Sequence, residues 1–74
     1  MMKQTSWRTP RYFVMKVAGT RWGEADILQT YTAPTQETHG ERYSIAFGPE
    51  RTYKDALNAL YYQSYVPRKY IREG

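Results

Sequence analysis

The residues that could do chemistry in this chain are few and scattered. His39 is the single histidine, and Glu37 and Glu41 flank it in the polar run from residue 33 to 41. A metal ion needs several convergent donors, and no second histidine and no cysteine exists to complete the set. The same shortage weighs against nucleophilic catalysis. A serine or threonine becomes a nucleophile only beside a base that a third group orients, and one histidine in a loop has no evident orienting partner. The segment Gly19-Thr20-Arg21-Trp22-Gly23 lacks the Lys-Ser/Thr ending with which a phosphate-binding loop grips its ligand. Loop solubility accounts for the glutamates around His39. The expectation is a protein that is not an enzyme and holds no cofactor or metal.

Binding chemistry is better represented. Cations stand beside aromatic rings at both ends of the chain, as Trp7-Arg8, Arg11-Tyr12, Arg21-Trp22 and Arg68-Lys69-Tyr70 followed by Arg72. Guanidinium groups fork onto phosphate or carboxylate, while flat rings stack on bases or fill pockets in a protein partner. A single such pair is ordinarily a core aromatic next to a solvated charge; the recurrence at both ends is what favours contact. Charge is spread in the same way. Residues 1–23 carry five cations and no acid, residues 24–50 carry five acids against Arg42 alone, and residues 51–74 carry five cations against Asp55 and Glu73, for a net charge of +4. If the ends meet in space they form a positive face suited to nucleic acid or to an acidic protein surface. The plainer alternative is a mixed-charge surface that serves solubility. The expected contact residues are Arg8, Arg11, Tyr12, Val14, Lys16, Tyr62, Arg68, Lys69, Tyr70 and Arg72.

The elements that must position these groups follow from periodicity. Residues 11–18 alternate, with Phe13, Met15 and Val17 on one face and Tyr12, Val14 and Lys16 on the other. Both faces are partly apolar, so this strand is either interior or an edge whose second face meets a partner. A second strand is expected over 25–32, with poorer alternation, and a third over 42–47, where Tyr43, Ile45 and Phe47 share a face. Gly48 and Pro49 are expected to end the third strand. Thr52 and Asp55 then supply an N-cap and an acid at the positive end of a helix. Tyr53, Ala56, Leu57, Leu60, Tyr61 and Ser64 follow on one face at helical spacing. Pro67 is expected to stop this helix at or just before Tyr65. The reading is an α+β domain: a three-stranded antiparallel sheet with one helix on one face, the ordered body at about 11–66, a flexible basic arm at 1–10 and a basic tail at 67–74. The expected core is Phe13, Met15, Val17, Ile27, Tyr43, Ile45, Phe47, Leu57 and Leu60, and removal of residues 68–74 is expected to leave it folded.

A chain of 74 residues has room for one small core. Hydrophobic residues make up 41% and aromatic residues 16% of it, which is not a disordered composition. Eight tyrosines supply much of the apolar material, with rings that pack and hydroxyls that stay wet. The absence of cysteine fits a reducing cytoplasm. No apolar run is long enough to span a membrane or to serve as a signal peptide.

In length, charge, tyrosine content and lack of cysteine the chain resembles the small host-takeover proteins of bacteriophages. Within that group, its size, its basic ends and the segment after Pro67 look most like the RNA-polymerase-binding transcription inhibitors and antiterminators of Xanthomonas phages. That resemblance implies a partner in the amino-terminal part of the polymerase β′ subunit near the RNA exit channel, a place in the host cytoplasm, and proximity to emerging RNA. The leading expectation is therefore a non-enzymatic regulator that acts on RNA polymerase by occupancy. Two alternatives stand beside it: a direct nucleic-acid-binding module, with phosphate contacts from Arg8, Arg11, Arg68, Lys69 and Arg72, and an inhibitor of a bacterial defence nuclease.

Overall fold

Five segments take up regular structure in the computed structural model, which describes residues 6–19, 23–35, 40 and 43–73. They are β1 (Ser6–Val17), β2 (Glu24–Thr32), β3 (Tyr43–Glu50), α1 (Tyr53–Tyr62) and β4 (Val66–Arg72). The strands form one sheet in the order β3-β1-β2-β4. β1 pairs antiparallel with both β2 and β3, and β4 pairs parallel with β2. The expected three-stranded antiparallel sheet is thus corrected to a four-stranded mixed one. β2, β3 and β4 run in the same direction, so α1 is the crossover that a return to a parallel strand requires. It carries the chain from one edge of the sheet to the other.

The segment read as a basic tail is β4. Val66, Tyr70 and Ile71 are good strand formers, and Pro67 is tolerated near the beginning of an edge strand, where it costs no ladder bond. The expected flexible arm is corrected in the same way, because Ser6–Pro10 belongs to β1. Pairing runs from Ser6↔Thr32 to Arg11↔Thr30, and the surplus residues between them, Pro10 included, bulge out of register. The Arg11 side chain ties this stretch together, donating from Nη1 to Thr9 Oγ1 at 2.7 Å and to the Thr9 carbonyl at 3.2 Å.

β3 does not stop at Gly48 as expected. Two register shifts let it continue to Glu50, which pairs with Tyr12. Gly48 makes this continuation possible. It adopts φ +126°, and a Cβ there would stand 2.8 Å from Phe13 Cδ2 and 3.0 Å from the Tyr12 carbonyl, so only glycine lets the two backbones approach this closely.

The helix is built as its cap predicts. Thr52 is the N-cap, and its hydroxyl accepts from the Asp55 amide at 3.1 Å. The helix closes earlier than expected, at Tyr62, because Ser64 takes a left-handed conformation at φ 62° and the Tyr65 amide turns back to the Leu60 carbonyl at 3.0 Å. Reversal into β4 sets that end, rather than Pro67.

Both faces of the sheet are covered. Ala56 and Leu60 of α1 pack on Val14, Ala25 and Ile27 of the sheet, with Leu57, Ala46 and Tyr12 at the margin. On the other face Phe13, Met15 and Leu28 are buried, with Trp7, Tyr43 and Ile71 against them. The helix therefore packs on the Val14 face of β1 rather than on the Phe13 face that the expected core implied. Ile45 and Phe47 are corrected from core to surface, and Tyr61, placed with Leu57 and Leu60 on the apolar face of the helix, is exposed with them.

β4 covers one side of β2, so its loss bares the backbone of a strand whose residues 25–28 are all buried and removes Ile71 from the second cluster. A domain of this size holds only about 4–11 kcal/mol of stability. Deletion of residues 66–74 is therefore predicted to abolish cooperative thermal unfolding measured by circular dichroism. A truncated chain that melts like the full one would contradict the pairing.

Candidate functional site

The expected contact residues do not form a single site. Arg11, Tyr12, Tyr70 and Arg72 gather at one end of the sheet, where β1 enters and β2 and β4 leave. Register links them: Tyr12 pairs with Gln29 of β2, and Gln29 pairs with Arg72 of β4. Lys16 is four residues further along β1, about 13 Å away at strand rise. There it lines an open cavity with Val17, Gly19, Gly23, Gln63, Ser64 and Tyr65. Tyr62 is 85% exposed near the end of α1. Val14 is fully buried under the helix, so it is corrected from a contact residue to a core residue. Arg8 is exposed in the irregular part of β1. His39, its flanking glutamates and the Arg21-Trp22 pair lie outside the described residues.

The gathered end is built from tyrosine. Tyr12 and Tyr70 are stacked, with ring centroids 6.5 Å apart and planes at 19°. Tyr53, the first residue of α1, meets both rings edge-on, at 4.9 Å from Tyr70 and 6.4 Å from Tyr12. Such tilted and offset arrangements match the ring quadrupoles. The Tyr70 hydroxyl donates to Gln29 Oε1, which ties β4 to β2 by side chain as well as backbone. The Arg72 guanidinium lies 5.9 Å from the Tyr70 ring centroid, within cation–π range. Tyr53, Tyr70 and Tyr31 remain about two-fifths exposed, so the cluster has a packed base and a wet rim. Tyr53, Tyr31 and Gln29 were not among the expected contacts. The signal for them was present, since Ile27, Gln29 and Tyr31 share one strand face and Tyr53 sits one turn before Ala56 and Leu57.

A second arrangement, on the opposite face of β1 from Tyr12, holds Trp7, Arg11 and Phe13. Trp7 packs on Phe13 at 5.9 Å, and the Arg11 guanidinium covers Trp7 at 5.7 Å. Arg11 is thus committed twice within its own strand, as a staple and as a lid over Trp7.

β4 also carries Arg68 and Lys69. They occupy the irregular step between Ala25↔Pro67 and Ile27↔Tyr70, two residues opposite the single Asp26. Asp26 is fully buried, and neither of its carboxylate oxygens accepts a hydrogen bond. Arg68 and Lys69 stay exposed.

No protein-family model matches this chain, and neither a curated protein nor a solved structure does.

Two predictions follow from the side chains. Burial pushes the Tyr12 phenol above its ordinary value of 10.0, and the neighbouring Tyr70 hydroxyl raises it further, against an opposing pull from Arg72. A phenol held neutral in the fold supports stability in full below pH 10 and withdraws that support as pH rises through its raised value. Ultraviolet titration of tyrosinate should therefore show a late-ionising phenol that Tyr12→Phe removes. Asp26→Asn should raise the thermal midpoint, because an unpartnered buried carboxylate is costlier than a neutral isostere; a lowered midpoint would mean that the carboxylate has a favourable partner.

Proposed function

We infer that this chain is a non-enzymatic binding protein that regulates a large host machine by occupancy, with RNA polymerase as the partner that the phage resemblance implies and the host bacterial cytoplasm as its place of action. The observation that carries the reading is the placement of Arg68, Lys69, Tyr70 and Arg72. All four are exposed on β4, an edge strand held by backbone pairing to β2. A segment that would lose much entropy on docking as a free tail is instead pre-organised, which lowers the cost of association. Tyrosine and arginine are also the side chains that most often dominate binding energy at protein interfaces. The polymerase β′ subunit enters this proposal through the resemblance alone.

In the expected outcome, tagged protein recovers polymerase subunits from bacterial lysate at low salt, and Arg68→Glu with Lys69→Glu removes them while leaving the melting curve in place. In vitro transcription with purified polymerase should then show lowered initiation or read-through of a terminator. Recovery of no polymerase subunit by the folded wild-type chain would overturn the assignment.

A further inference from the structure

We propose that the rim formed by Tyr53, Tyr70 and Arg72, with Tyr31 beside it, is a binding site for single-stranded nucleic acid that takes an unpaired base on the Tyr70 ring and its phosphate on Arg72. This site is independent of the polymerase reading and would operate without that partner.

The rings are already arranged as a platform. Tyr12 backs Tyr70 in a near-parallel stack, and Tyr53 braces both from the helix. The Gln29 side chain fixes the Tyr70 hydroxyl. A ring supported in this way loses little freedom when a base lands on it, and stacking on tyrosine tolerates any base because every base offers a π-face. The Arg72 guanidinium over Tyr70 marks the attraction of that ring for a flat, electron-poor group. A base that takes its place leaves Arg72 free to turn to the adjoining phosphate. Arg68 and Lys69 continue the positive charge along β4.

The exposed cations of β4, Arg68, Lys69 and Arg72, favour phosphates along that edge. A duplex hides its base faces, so stacking predicts a preference for single strands, whereas a merely basic edge would bind both forms through phosphate contacts.

The test is fluorescence anisotropy with labelled oligouridine and oligodeoxythymidine of about 12 nucleotides, a length within the site sizes common for stacking surfaces, against a duplex of equal length. Single strands should bind more tightly than the duplex and more weakly as salt rises. Tyr53→Leu should weaken single-strand binding about tenfold or more while the duplex affinity changes little, and Arg72→Gln should weaken single-strand binding by a similar factor. Circular dichroism melting confirms that the variants are folded, and Arg72→Gln, at an exposed position, keeps the test valid if Tyr53→Leu is not. Equal affinity for single strand and duplex, or folded variants that bind like the wild type, would overturn the proposal. So would variants that lose polymerase capture when the wild type binds no oligonucleotide, because the rim would then be a protein contact.

Discussion

The parallel pairing of β4 with β2 is the contact on which the rest of the structure depends. It makes β2 an interior strand, buried on both faces from residue 25 to 28, and it places α1 across the sheet as a crossover. The same pairing brings Tyr70 over the Tyr12 ring and Arg72 beside Gln29. Without β4 the helix would still have apolar residues to bury, but the tyrosine rim would have no third strand and the basic residues of the C-terminal segment no fixed direction.

The sheet is packed on two faces, one under α1 and the other with large rings in place of a second helix. α1 covers Val14, Ile27 and Ala25, while Trp7 and Tyr43 cover the face of Phe13, Met15 and Leu28. Pro34, just after β2, is buried too and lines a small cavity with Met15, Tyr43 and Ile45. Asp26 is placed in the middle of this arrangement without a hydrogen bond. In a domain whose total stability is a few kcal/mol, a carboxylate so placed is a large local cost. The two cations opposite it in the β4 bulge remain on the surface.

Much of this was legible in the sequence where one local rule acts alone. The alternation from Phe13 to Val17 announced a strand, and Thr52 with Asp55 announced the start of the helix. The edges of elements were harder, because there two rules compete. Pro67 is a helix breaker and also an acceptable edge-strand residue, and in the fold it acts as the latter. Gly48 signals a turn, yet here it permits two backbones to touch. The poor alternation over 25–32 was the mark of an interior strand buried on both faces. Its implication was a further neighbour, and the only unassigned segment rich in strand formers was Val66–Arg72. Of the candidate site, Tyr70 and Arg72 were legible as types but not as neighbours of Tyr53, since tertiary structure alone joins them. Val14 is a core residue because the second apolar face of β1, which fits an interior strand or an edge that meets a partner equally well in the sequence, is covered by α1.

The two edges of the sheet differ in what they offer. Between Tyr43 and Pro49, β3 has no charged residue, and two bulges twist it. β4 is charged and exposed, and its backbone is paired to β2. The functional account rests on β4 being a strand and not a tail, and nuclear magnetic resonance tests that directly. Cross-strand Overhauser contacts between Leu28 and Ile71 and between Ile27 and Tyr70, with strand-like shifts across Val66–Arg72, are the predicted result. Random-coil shifts through that segment, with no contact to β2, would contradict it.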